Sequence, residues 1–383
     1  MIKPFTVSVP DPVLADLKAR LARTRWPDSI GKAWDYGTDI TFLRELIDYW
    51  QNHFDPIAAV KRLNQLDHFT TDIDQRALHF IHARSSHRDA QPLLMTHGWP
   101  GSIVEFQKIL PMLTQPEHYG GDPSDAFHVI CPSLPGYGFS DAPTLPGFDQ
   151  KSAAIDHRIL MERLGYDRYF LQGGDWGSAV SSWHAKIAPE RVAALHLTLI
   201  FVSKPKHLED PFAQVSPDEL EALSRSQARM VKGTGYQAIQ GSKPQTLGYG
   251  LTDSPVGLAA WISEKFQHWT DPNVPFEQSI SMDELLTNIL LYWVSGNITA
   301  STRLYYESAH SNANLFEGGR ILTPTGHAVF PGELYLPPRA WAEMLYNIQH
   351  WEIQPKGGHF AALEVPELLA TDLRTFFRPY RVS

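Results

Sequence analysis

The sequence has one cysteine, Cys131, among 383 residues. A disulfide within the chain is excluded, and so is a metal cage built from thiolates. A lone thiol fits a reducing compartment. Its setting, His128-Val129-Ile130-Cys131, predicts a packed strand residue rather than a nucleophile. Long hydrophobic runs are also missing. No stretch of about 18 apolar residues occurs, so no transmembrane helix is expected. The opening residues, Met1 to Val7, lack the apolar segment of a signal peptide. These absences predict a cytoplasmic protein without a membrane anchor. No basic block stands ready to neutralise phosphates, and the formal charge is −9, so nucleic acid is not an expected partner. Internal repeats and low-complexity tracts are absent.

What is present is ordinary globular composition, 43% hydrophobic and 20% charged, so the chain can bury a sizeable core. It holds 17 His and 11 Trp, so a single His or Trp carries little weight alone. Residues 1–90 read as an N-terminal extension. Asp11-Pro12 starts one helix, and Phe42, Leu43, Leu46, Ile47 and Trp50 give a second amphipathic one. The loop Trp26-Pro27-Asp28 lies between them, and two short strands follow at Asp67 to Thr71 and Ala77 to His82. From residue 91 strands alternate with helices, at Leu93-Leu94-Met95, Val129-Ile130, Tyr169-Phe170-Leu171 and Val192 to Leu199. That rhythm predicts an α/β protein with a mostly parallel, doubly wound sheet. It holds over 91–202, breaks over 203–315 into helical segments that read as an inserted cap, and resumes over 316–383.

The strongest local signal is Gly173-Gly174-Asp175-Trp176-Gly177-Ser178, between a strand and a helix. Small residues around one reactive side chain at a sharp turn make a nucleophile elbow. The competing reading is that Asp175 only caps the next helix. An elbow with Asp in place of Ser is informative. A serine attacking saturated carbon would form an ether, which water does not cleave. A carboxylate forms an ester, which a second step can hydrolyse. Asp175 therefore points to an epoxide or a carbon–halogen bond.

A second strand end, His97-Gly98-Trp99-Pro100-Gly101-Ser102, falls beside the elbow, where the backbone N–H groups of Trp99 and Trp176 would converge as an oxyanion hole. His97 itself reads as a structural histidine. Gly357-Gly358-His359-Phe360 follows the last strand, the place for a base, and chain order asks for an acid between nucleophile and base. Glu333 suits best, in Phe330-Pro331-Gly332-Glu333. Glu343 and Glu352 are alternatives, one on a solvated helix face and one within a strand. An epoxide oxygen leaving as an alkoxide needs a proton, and a phenol can give one. With 14 tyrosines, spacing alone does not choose which. Trp261, Phe266, Trp269 and Trp293 suggest an apolar pocket, but their helical spacing favours core packing.

Taken together these residues resemble the microsomal-type epoxide hydrolases, members of the α/β-hydrolase fold with an N-terminal meander. The resemblance spans the chain. It rests on Trp26-Pro27, the two motifs above, Gly235-Tyr236 through Ser242-Lys243-Pro244, Asp253 through Trp261, Tyr305-Tyr306-Glu307 and Gly357 through Ala362. It implies an ether-bond hydrolase with Asp175 as nucleophile, His359 as base, Glu333 as the acid that orients it, and Tyr236 and Tyr305 as the pair that polarises the epoxide oxygen. No cofactor and no metal are implied. The expected partner is a small hydrophobic epoxide, in aromatic hydrocarbon catabolism or detoxification, and a homodimer is compatible with the sequence. Anchored members begin with a hydrophobic helix; this chain resembles the soluble microbial branch. Two other readings stand beside it. A haloalkane dehalogenase would use the same Asp and His, with the rings of Trp99 and Trp176 holding the halide. A non-enzymatic binder or scaffold of the same fold would be expected to lack one of Asp175, Glu333 and His359.

Overall fold

The computed structural model describes residues 1–31 and 33–381. Nine strands form one sheet: β1 (Ile2–Phe5), β2 (His68–Ile73), β3 (Arg76–Ala83), β4 (Gln91–Thr96), β5 (Phe127–Pro132), β6 (Tyr169–Gly173), β7 (Val192–Leu197), β8 (Ile321–Val329) and β9 (Tyr346–Ile353). Their order is β1-β2-β3-β5-β4-β6-β7-β8-β9. The pairs from β5 to β9 are parallel, and β1, β2 and β3 add an antiparallel edge. The central strands are apolar almost without interruption because they are covered on both faces. All six residues of β7 are buried. Alternate side chains sort to opposite sides. Leu93 and Met95 join one cluster and Leu94 the other.

The helices of the N-terminal half are α1 (Asp11–Ala22), α2 (Ile40–Asn52), α3 (Pro56–Leu63), α4 (Ile109–Thr114), α5 (Gln150–Arg163) and α6 (Trp176–Ile187). Between β7 and β8 lie α7 (Pro217–Gly233), α8 (Gly235–Gln240), α9 (Pro244–Asp253), α10 (Pro255–Trp269), α11 (Phe276–Ser279), α12 (Met282–Ser295) and α13 (Ile298–His310). The chain ends with α14 (Arg339–Glu343), α15 (Ala361–Glu364) and α16 (Pro366–Phe377). Leu160 and Met161 of α5 and Ala185 of α6 cover one face of the sheet. Leu110 of α4 and Leu373 and Phe377 of α16 cover the other. Helices α1 and α2 pack on the inserted helices: Leu17, Leu46 and Trp50 share a cluster with Leu258, Ile262, Leu285 and Ile289. Cys131 is fully buried in β5, and burial pushes its thiol up, so it packs rather than reacts. No helix among the described residues is long and apolar enough to cross a membrane.

Two elements escape the sequence pattern. β1 carries Pro4, which cannot donate to a ladder, and survives because it is an edge strand. α3 is only 8 residues long, started by the side chain of Asp55, which accepts from the N–H groups of Ile57 and Ala58. α1 starts at Asp11-Pro12, as the sequence predicts, with Pro10 at its N-cap and no side-chain cap bond.

α16 is docked through one carboxylate. Asp372 accepts from His196 Nε2 of β7 at 2.7 Å and from His350 Nε2 of β9 at 2.7 Å. Gly326 of β8 lies between these histidines in register, and its missing Cβ leaves the space that the Phe376 ring of α16 fills. Burial alone would raise Asp372, but the two hydrogen bonds outweigh it and hold the carboxyl well below its usual range. The same contact raises His350. On the Asp372 side, stability is present above an unfolded-state pKa of about 4 and lost as pH falls through the folded value. On the His350 side it is present below about 6.5 and lost as pH rises through the raised value. Asp372→Asn is therefore expected to cost about 3 kcal/mol near pH 6 and less near pH 9. Calorimetric melting at both pH values tests this, and an equal loss at both would rule out a charged pair.

Candidate active site

The carboxyl ends of β4, β6 and β8 bring the site together. β6 ends at Gly173, and α6 starts at Trp176. Asp175 between them sits at φ 49°, ψ −129°, a conformation L residues rarely adopt. Such a turn holds a side chain out over the sheet edge. Close packing sustains it. A Cβ at Gly177 would lie 1.8 Å from the Thr96 carbonyl oxygen, so only glycine lets α6 begin against β4. A Cβ at Gly98 would lie 2.2 Å from Asp175 Oδ1, so glycine there leaves room for the carboxylate.

The two oxygens of Asp175 have different neighbours. Oδ1 accepts the Trp99 N–H at 2.8 Å. Oδ2 lies 3.3 Å from His359 Nε2. The other nitrogen, Nδ1, lies 2.6 Å from Glu333 Oε1, which also accepts the Leu334 N–H at 2.5 Å. Glu333 is 1% exposed. Burial alone would depress His359, but the charge of Glu333 and the hydrogen bonds to Asp175 and Glu333 hold it well above the usual histidine range. Of the two expected oxyanion donors, only the Trp99 N–H reaches the carboxylate. The Trp176 N–H belongs to the first residue of α6 and is not bonded to it.

Tyr236 on α8 and Tyr305 on α13 approach from above. Both line a cavity of about 670 Å³ together with Asp175, Trp176, Trp183 and Trp269. Tyr236 stacks on Trp99 with ring centroids 5.3 Å apart, and Tyr305 meets Trp176 edge-on at 4.7 Å. The two phenol rings are 5.6 Å apart. Burial and the Asp175 charge push both phenols up, so they stay protonated and can donate.

The other expectations divide. His97 has the structural role: Nδ1 bonds the Gly98 carbonyl at 2.9 Å and Nε2 accepts the Leu134 N–H at 3.2 Å. Burial lowers it to about 4, keeping it neutral. Glu343 pairs with Arg339 at the surface and Glu352 is exposed on β9, so neither reaches the site. Phe266 is core, stacked 4.1 Å from Phe360, but Trp269 lines the cavity. Sequence reasoning missed Glu105. With Asp175, His359, Thr96 and Gln172 it lines a second cavity of about 20 Å³ behind the carboxylate. Burial, countered by His359, raises Glu105 to about 8. Its only local signal, Ser102-x-x-Glu105, has the form of a capping box, which hides it. No group of three or more His, Cys, Asp or Glu that could hold a metal occurs among the described residues.

A family model described as "Epoxide hydrolase N terminus" matches residues 2–106, and one described as "alpha/beta hydrolase fold" matches 91–330. A Stigmatella aurantiaca relative is 46% identical over 384 residues, covering 100% of this chain and 86% of its own. Epoxide hydrolase 1 of Sus scrofa is 41% identical over 401 residues, covering 98% and 88%. The chain belongs to the epoxide hydrolase family. Its fold is similar to that of juvenile hormone epoxide hydrolase from the silkworm Bombyx mori, with a TM-score of 0.91 at 33% identity, covering 100% of this chain and 95% of the other. The resemblance seen in the sequence is thus borne out, and the chain is an epoxide hydrolase.

Proposed function

We propose that this epoxide hydrolase works in two covalent steps. Asp175 Oδ2 attacks a ring carbon, the carbon–oxygen bond breaks, and the oxygen takes a proton from Tyr236 or Tyr305. Water then attacks Cγ of the resulting ester, giving a proton to His359 Nε2. The negative charge grows on Oδ1, against the Trp99 N–H; the Trp176 N–H, unbonded to the resting carboxylate, is the second donor once Cγ becomes tetrahedral. As the tetrahedral centre collapses, the alcohol leaves with the proton from His359. The acid proton left on Asp175 restores the phenol. The observation that carries this reading is the line from Asp175 Oδ2 through His359 to Glu333 Oε1, at 3.3 Å and 2.6 Å, facing two buried phenols across one cavity. A cavity of about 670 Å³ with such walls suits a hydrophobic epoxide, in catabolism or detoxification.

The ion pair sets a pH dependence. In the free enzyme Asp175 helps hold the His359 proton. Esterification removes that charge, so the imidazole becomes easier to deprotonate when a base is needed. Ester decay should therefore rise with pH, with an apparent pKa below that of His359 in the free enzyme. Single-turnover decay from pH 5.5 to 9 checks it, and a decay that slows with rising pH contradicts the assignment.

One observation favours a second activity. The indole N–H groups of Trp99 and Trp176 are buried and bond to nothing among the described residues. A halide would take such donors. A departing halide, however, needs no phenol, whereas an alkoxide does. We expect diol from an aryl epoxide such as styrene oxide and no halide from 1-haloalkanes of similar size, measured on one preparation. Efficient halide release without epoxide opening would reverse the assignment.

A further inference from the structure

Three pieces of backbone meet beside His359 with no side chains between them. They are the acid loop at Gly332, the base loop at Gly357 and Gly358, and the end of α10 at Trp269, Thr270 and Asp271. A Cβ at Gly358 would lie 2.7 Å from the Asp271 nitrogen and the Trp269 oxygen. A Cβ at Gly332 would lie 2.9 Å from the Asp271 Cα. Gly332 N–H donates to the Gly357 carbonyl at 2.9 Å, joining the two loops, and His359 N–H donates to the Trp269 carbonyl at 2.9 Å, joining base loop to helix end.

Two carboxylates lace this joint. Asp271 is 3% exposed, and its Oδ2 accepts the Gly357 N–H at 2.8 Å. Glu364 spans the seam: Oε2 accepts the Asp271 N–H at 2.8 Å, and Oε1 accepts the Phe360 N–H, one residue after the base, at 3.0 Å. Arg229 of α7 closes the third side, donating to the Gly332 carbonyl at 2.8 Å and to the His268 carbonyl. None of these residues lines the substrate cavity. The bonds instead tie the backbones that carry Glu333 and His359 to the end of α10.

Building on the two-step reading, we propose that Glu364 and Asp271 are positioning residues for His359. They fasten the base loop to the last turn of α10, so that this end of the inserted helices belongs to the hydrolytic machinery and does not lift to admit substrate. The nucleophile is set separately, by the β6–α6 turn and the Trp99 N–H. Loosening the joint therefore misplaces the base while leaving the attacking carboxylate where it is. Glu364→Gln is the sharpest probe. An amide in place of the carboxylate turns an N–H₂ toward one of two N–H donors and keeps only one bond.

The test is rapid-quench intact-mass analysis with styrene oxide on the whole enzyme, which reads formation and decay of the alkyl-enzyme as separate rates. Glu364→Gln should form the adduct within about twofold of the wild-type rate and lose it about 10–100-fold more slowly, the scale set by small misplacements of a catalytic group. Asp271→Asn should change in the same direction and decides the matter if Glu364→Gln does not fold. A general loosening would slow both steps alike, and that result, or unchanged decay, overturns the proposal. Wild-type enzyme that forms no adduct at all removes the two-step reading and this inference together. Wild-type adduct with unaltered decay in the variants removes only the inference.

Discussion

His359→Gln is expected to trap substrate on the enzyme and release almost no diol. The reason lies in the division of labour at Asp175. Attack on the epoxide needs Oδ2, which is a carboxylate oxygen at the turn before α6 whatever occupies position 359. Hydrolysis needs a base for water, and the group proposed to supply it is Nε2 of His359, 3.3 Å from Oδ2. Glutamine fills similar space but takes no proton. Steady-state turnover should fall on the order of 10³-fold or more. Intact-mass spectra should show the protein heavier by one substrate mass, and peptide mapping should place the addition on Asp175. Stoichiometric diol at the normal rate with no adduct is the result that sinks the mechanism. Glu333→Gln should act in the same direction but less strongly. It leaves an oxygen for the Leu334 N–H and for Nδ1, but removes the charge that helps hold the imidazolium.

The sheet and the turn that carries Asp175, the proposed nucleophile, are legible in the sequence because both are written locally. Leu93 to Met95 and Val192 to Leu197 are unbroken apolar runs, which is how buried parallel strands read. The glycines around Asp175 announce the turn because no other residue fits against Thr96. Chain order then narrows the search for base and acid to His359 and Glu333. What is not legible depends on contacts between distant segments. Glu105 stands close to Asp175 in space but 70 positions away, and its spacing from Ser102 imitates a helix cap. Trp269 looks like any aromatic on an amphipathic helix; only the fold turns α10 so that its last residue faces both the cavity and His359. The role suggested for Glu364 has no sequence signal, since a Glu ahead of Pro366 reads as a solvated helix end. The resemblance, and not any spacing, singles out Tyr236 and Tyr305 from the other tyrosines. The structure then brings both into the cavity that holds Asp175.

Those two phenols give the second large effect. An epoxide oxygen departs as an alkoxide, far more basic than either phenol, so a proton or a strong hydrogen bond must reach it in the transition state. Tyr236 and Tyr305 are 4% and 7% exposed, and burial keeps both protonated. They enter from different helices, so one ring can be altered without moving the other's backbone. Tyr236 is held by stacking on Trp99 and by the Gln237 amide, which donates to its oxygen at 3.0 Å; Tyr305 is held against Trp176. Phenylalanine at either position keeps the packing and removes one donor. Each single variant should slow alkylation by about 10–100-fold, because the remaining phenol still polarises the oxygen. The double variant should lose about 10⁴-fold, the scale of a full general-acid contribution. Decay of a pre-formed ester should be little changed in all three, since the phenols act before the ester exists. Measuring alkylation and decay separately in the two single variants and the double variant is the check. Wild-type alkylation in the double variant would mean that the proton comes from elsewhere in the cavity.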